Sequence, residues 1–96
     1  MSKTKADIGL IGLGVMGQNL ALNMENHGFT LAVHNRGPES VENFINGIGK
    51  NKKFIGCADF VDFVNSIKRP RKIMMMVKAG IVVIAILLRT NAKTIN

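Results

Sequence analysis

Gly12, Gly14 and Gly17 stand in the spacing G-x-G-x-x-G, in full Gly12-Leu13-Gly14-Val15-Met16-Gly17. Glycines so spaced can bind the pyrophosphate of a dinucleotide when they join a strand to a helix. The first allows a tight turn, the second lets the backbone approach the phosphates with no Cβ in the way, and the third lets helix pack closely on strand. Amide N–H groups at the start of the helix are the donors. Alone the pattern is weak, so its meaning depends on what flanks it. A second chemical position lies about 20 residues on, where a site that selects NAD carries an acid for the ribose hydroxyl. This chain has Asn35-Arg36 there. An Arg guanidinium would hold a 2′-phosphate by charge-assisted hydrogen bonds, whereas an acid would repel it, so the expected cofactor is NADP. The competing readings are a glycine turn that only packs and an arginine that is merely solvated.

The flanking sequence supplies the required elements. Ile8, Leu10 and Ile11 form a brief apolar run ending at Gly12, which reads as a buried strand. Met16, Leu20 and Met24 then recur every four residues with Ala21 beside them, and Gly28 stops the pattern, so a helix is expected from Val15 to His27. Thr30 to His34 reads as a second strand, broken by Asn35, Arg36, Gly37 and Pro38. Pro38 suits the first position of a helix through Asn46, with Gly37 as its cap. Phe54 and Ile55 suggest a third strand. Asp59 then offers an N-cap carboxylate to a helix carrying Phe60, Val61, Phe63, Val64 and Ile67, expected to reach about Lys68 before Pro70. Ile73 to Val77 completes the order as a buried strand. Alternating strands and helices of this kind imply an α/β fold, a partial Rossmann-like doubly wound parallel sheet of about four strands.

Composition bounds the rest. A chain of 96 residues with 47% hydrophobic content holds one small domain, not a cofactor domain with a catalytic domain added. The lone Cys57 forbids an internal disulfide, fits a reducing compartment, and reads as a small buried hydrophobe rather than a nucleophile. No signal sequence is recognisable, and the apolar stretch Ile81 to Leu88 falls short of the roughly 20 residues a spanning helix needs, so a cytoplasmic protein is expected. The net charge of +7 is unevenly placed: residues 1–62 are neutral, and Lys68, Arg69, Arg71, Lys72, Lys78, Arg89 and Lys93 supply the whole excess. A nucleic-acid partner is not expected, because aromatic residues for stacking are few and the basic run suits a solvated loop. No metal ligand set is read from the sequence.

The blocks Ile8 to Met24, His27 to Phe29, Asn35-Arg36, Lys68 to Ile73 and Met76 to Gly80 resemble the amino-terminal part of the decarboxylating 6-phosphogluconate dehydrogenase family over about residues 5 to 80. The wider 3-hydroxyacid dehydrogenases share G-L-G-x-M-G and are the nearest alternative, followed by a non-catalytic nucleotide-binding module. The resemblance implies a cytosolic, dimeric NADP-dependent oxidoreductase of the pentose phosphate pathway, or pentose shunt, which converts 6-phosphogluconate to ribulose 5-phosphate and CO₂. Matched by position, Gly12, Leu13, Gly14, Val15, Met16 and Gly17 would hold the pyrophosphate. Asn35, Arg36 and Gly37 would face the 2′-phosphate and adenosine, and Val77, Lys78 and Ala79 would form the loop bordering the cofactor. The family often has Ser or Thr where Gly37 stands, so a hydroxyl donor to the 2′-phosphate is missing here.

Departure from the family is expected after Gly80. The family's Asn at the cofactor–substrate junction, its S-G-G motif and its catalytic Lys and Glu do not follow, and residues 81–96 read as an apolar then basic tail. This is the pattern of a truncated or frame-shifted product or a faulty gene model. The apolar continuation of the last strand is expected to be exposed and prone to strand pairing. No catalytic residue is assigned, the isolated chain is expected to be inactive, 6-phosphogluconate is expected to bind only in a full-length parent, and the family's homodimer is not expected from this stretch alone.

Overall fold

Three apolar residues and a glycine at Ile8–Ile11 form strand β1 in the computed structural model, which describes residues 5–77 and 80–86. Helix α1 follows at Val15–Asn26, then β2 at Leu31–His34, α2 at Pro38–Asn46, β3 at Phe54–Gly56, α3 at Phe60–Asn65, β4 at Arg71–Val77 and β5 at Gly80–Ile86. They build one sheet in the order β3-β2-β1-β4-β5. Strands β1 to β4 are mutually parallel, as the alternation of strands and helices implies. The register Ile8↔Leu31 to Ile11↔His34 and Gly9↔Ile73 to Ile11↔Met75 leaves β1 at the centre.

Both faces of the sheet are buried at β1 and β2, which is why those strands are apolar runs rather than alternating. Leu10, Leu31 and Val33 pack with Leu13, Ala21, Val41 and Phe44 under α1 and α2. On the opposite face Ala32 and Ile73 pack with Cys57, Phe63, Val64 and Ile67 under α3. That second face is tight: a Cβ on Gly9 would stand 2.6 Å from Phe63 Cζ and run into Ile67 Cδ1. Helix α1 approaches the sheet through its small residues Gly17 and Ala21, with Leu20 and Met24 partly buried beside them. Met16 does not join that face; it is 63% exposed at the first turn.

Helix α3 is shorter than its periodicity suggests. Asp59 Oδ2 accepts from Asp62 N (3.2 Å), the expected cap, but the helix ends at Asn65. Ser66 Oγ donates to Asp62 O (2.7 Å), and Ile67 leaves the helix to form a parallel bridge with Ala6. Ala6 N donates to Ser66 O (2.7 Å) and Lys68 N to Ala6 O (2.9 Å), so sheet-like pairing replaces the last helical turn. Ile67 keeps its buried side chain either way, which is why the apolar period continues past the helix.

Beyond the four parallel strands, residues 80–86 run back antiparallel along β4, in register from Val77↔Gly80 to Arg71↔Ile86. The expected apolar continuation is thus paired on one side with its own chain. Successive β-branched residues, Ile81, Val82, Val83 and Ile84, favour a strand, and an antiparallel return needs only a short connection.

Candidate functional site

The glycine turn lies at the carboxyl end of β1, the end at which open parallel sheets bind ligands. Gly12 N extends the strand ladder by donating to His34 O (2.9 Å). At φ +106° Gly12 then takes a conformation that L side chains rarely adopt, and a Cβ there would also stand 3.0 Å from Met76 O. A Cβ on Gly17 would run into the Gly12 carbonyl, so the third glycine is required for helix α1 to sit against the turn. Gly14 is different: nothing lies within 4 Å of where its Cβ would be.

Gly14 is also the N-cap of α1, and no side chain caps the helix. Its first-turn amides, with the positive end of the helix dipole, therefore face an open ledge edged by Val15 (78% exposed) and Met16 (63% exposed). The residues present fit a pyrophosphate: the ledge has donors, positive potential, and a space that any side chain at position 14 would fill.

The turn is held in shape by two side chains. Asn35 Oδ1 accepts from Leu13 N (2.8 Å), and Gln18 Nε2 donates to Leu13 O (2.9 Å). With the Leu13 side chain buried as well, this peptide is fixed on every side. Asn35 thereby acquires a positioning role, tying the end of β2 to the glycine turn. Gln18 was not singled out from the sequence; its only signal was its place in the block that carries the family resemblance.

Arg36 is exposed immediately after Asn35, and Gly37 is the N-cap of α2, followed by Pro38 at N1. Arg36 and the glycine turn therefore lie at the same end of the sheet, on neighbouring strands. Val77 is the last residue of β4 and lies two residues beyond Met75, the partner of Ile11. Lys78 and Ala79 lie outside the described residues.

Nearby groups are structural. The Cys57 thiol is buried, and burial pushes its pKa up, only partly offset by Ser66 Oγ at 3.7 Å. It is the small core side chain expected, not a thiolate. His34 Nδ1 bonds Cys57 O (2.9 Å), and its ring packs against Phe60 and Phe63 with centroids 5.9 and 5.5 Å away. At the opposite end of the sheet, Asp7 accepts from Thr30 N and from Lys68 Nζ, both at 2.9 Å. Thr30 first, and Lys68 second, hold its carboxyl below the usual carboxylate range. A cleft of about 600 Å³ lined by Lys5, Gly56, Cys57, Asp59, Asp62 and Ser66 lies beside β3 and α3, away from the glycine turn. The turn is a ledge rather than a cavity and does not coincide with this hollow. Among the described residues no His, Cys, Asp and Glu group is arranged to hold a metal, and no helix is long and apolar enough to cross a membrane.

Residues 7–94 match the family model described as the NAD binding domain of 6-phosphogluconate dehydrogenase. The chain is 58% identical over 83 residues to a decarboxylating 6-phosphogluconate dehydrogenase of Dictyostelium discoideum, covering 86% of this chain and 17% of that protein. It is 52% identical over 75 residues to decarboxylating 6-phosphogluconate dehydrogenase 1 of Saccharomyces cerevisiae, covering 78% and 15%. A solved structure of Plasmodium falciparum 6-phosphogluconate dehydrogenase, studied in its apo form, with its cofactor NADP+ and with its substrate 6-phosphogluconate, superposes with a TM-score of 0.66 at 43% identity, covering 77% of this chain and 16% of that one. The chain thus spans about a sixth of the length of these relatives.

Proposed function

Because the chain belongs to the 6-phosphogluconate dehydrogenase family through its NAD-binding domain, we propose that the ledge at the carboxyl end of β1 binds NADP. The observation that carries this reading is the uncapped start of α1, with Gly14 opening onto free space and Asn35-Arg36 on the adjoining strand end. Gly12, Leu13, Gly14, Val15, Met16 and Gly17 hold the pyrophosphate through backbone amides. Arg36 receives the 2′-phosphate, Asn35 and Gly37 shape the approach to it, and Val77, Lys78 and Ala79 border the cofactor from the fourth strand.

In the whole enzyme, NADP held by the glycine turn and Arg36 would supply the hydride acceptor for the oxidative decarboxylation of 6-phosphogluconate to ribulose 5-phosphate and CO₂. That reaction belongs to the pentose phosphate pathway in the cytoplasm. The contribution of this chain is to bind and orient the cofactor; none of its residues is assigned to proton transfer. Residues 1–80 form the cofactor-binding part, and residues 81–96 are its apolar then basic tail, of which 81–94 still fall within the match to the family model.

Titration calorimetry tests the reading. NADP is expected to bind more tightly than NAD, and Arg36→Ala to weaken NADP by roughly 10-fold or more with little effect on NAD, since hydrogen bonds to charged groups contribute about 1.5–3 kcal/mol. Failure of a demonstrably folded chain to bind either nucleotide would falsify the proposal, and equal affinity for both would remove the role given to Arg36. Purified chain, free of host enzyme, is expected to reduce no NADP when 6-phosphogluconate is added.

A further inference from the structure

The hydrogen-bonding phase of the sheet can be followed strand by strand from the glycine turn. Gly12 N donates to His34 O, so Leu10 and Gly12 turn their backbone groups toward β2, while Gly9 and Ile11 turn theirs toward β4. With Gly9 opposite Ile73 and Ile11 opposite Met75, the parallel ladder uses Lys72, Met74 and Met76 on β4. Arg71, Ile73, Met75 and Val77 consequently face β5, opposite Ile86, Ile84, Val82 and Gly80. The N–H and C=O groups of Ile81, Val83 and Ala85 therefore point away from β4, along the outer edge of the described sheet.

The two edges of this sheet are unlike. β3 is three residues long and is preceded by the exposed Lys50, Lys52 and Lys53, and shortness and lysine are both devices that discourage edge pairing. β5 is seven residues long and Gly80–Ile86 contains no charge, no proline and no bulge in its register with β4. In a chain of net charge +7, this uncharged strand is where a second copy can approach without placing like charges opposite each other.

We propose that β5 is a self-association edge, pairing antiparallel with β5 of a second copy about a two-fold axis at Val83. That axis sets Val83 against Val83 and Ile81 of each copy against Ala85 of the other, so the outward-pointing residues satisfy one another and the sheets of both copies join into one. The contact is isologous and closes at two copies, because it consumes the same edge on each. It does not depend on cofactor binding and does not use the glycine ledge.

Sedimentation velocity of the full chain over a concentration series, combined with residue-resolved amide exchange, tests it. The expected results are a doubling of mass with concentration, and exchange at Ile81, Val83 and Ala85 that slows as the dimer forms while Val82 and Ile84 stay constant. Val83→Pro removes an outward N–H, a position that tolerates proline. It is expected to keep its circular dichroism and sediment as a monomer, whereas Ile84→Pro removes a donor to β4 and is expected to lower the thermal midpoint. A monomer at every concentration overturns the proposal. Protection of Ile81, Val83 and Ala85 that is independent of concentration also overturns it, since the chain then covers its own edge. Assembly beyond two copies overturns it as well, because pairing of β5 with β3 does not close. The exchange measurement decides the matter even if Val83→Pro does not fold.

Discussion

Gly37 separates two requirements that coincide at the other functional glycines. Its φ is −89°, and a Cβ there would lie 3.7 Å from Asn35 Nδ2, an ordinary contact, so nothing in the backbone demands glycine. Gly37→Ser is therefore expected to fold normally, gain a few tenths of a kcal/mol as a better N-cap of α2, and bind NADP several-fold more tightly through the added hydroxyl; paired urea melts and calorimetry would check both parts. Gly17→Ser, which meets the Gly12 carbonyl, should do the opposite. Asp7 gives a residue-scale pH dependence. Its folded pKa is depressed below 3.8, chiefly by the Thr30 amide and then by Lys68, so the stability it contributes is present above that value and is lost as pH falls through the lower folded pKa. Because Lys68 is more than half exposed in this pair, the contribution is about 0.2–1 kcal/mol. Asp7→Asn should lower the midpoint of denaturation near neutrality, and the gap from the parent should close in acid; a gap that stays constant with pH would rule out the assignment.

At the scale of the element, α3 depends most on its ends, since a short helix gains little from propagation. Asp59→Ala removes the acceptor for Asp62 N and should cost about 1 kcal/mol in chemical denaturation, whereas the same change at the solvent-facing Glu42 of α2 should cost nearly nothing. The sequence located most elements because their signals were local. The glycine pattern and Gly28 bracketed α1, Gly37-Pro38 opened α2, and Asp59 opened α3 as read. The exit of α3 was missed because Ile67 satisfies a buried position in helix and bridge alike, and only the pairing with Ala6, distant in sequence, distinguishes them. Met16 was assigned to the packed face on period alone, although residues at the first turn of a helix that opens a ligand site extend beyond the sheet. The hydrogen bonds of Asn35 and Gln18 to Leu13 escaped for the same reason: they are contacts between elements, carried by side chains that look like ordinary loop and helix-surface residues.

For the whole molecule, the core under α3 is built around one large aromatic side chain. Phe63 is fully buried between Gly9, Ile67 and the His34 ring, and Phe63→Ala should cost about 3–5 kcal/mol. A chain of this size has roughly 5–15 kcal/mol in total, so the variant should unfold at markedly lower urea; a loss under about 1 kcal/mol would show that this core is not tightly packed. The parallel sheet was legible because both its faces are covered at β1 and β2 and those strands have no polar alternation. The antiparallel return of β5 was not, since an apolar run does not encode the direction in which it pairs. The central place of β1 also bears on how the protein is made. Gly9–Ile11 leave the ribosome well before one of their two neighbours, Ile73–Met75, has been synthesised. At roughly 5–20 residues per second, the middle of the finished sheet waits several seconds with one side unmatched, so during translation its inner strand is temporarily an outer one.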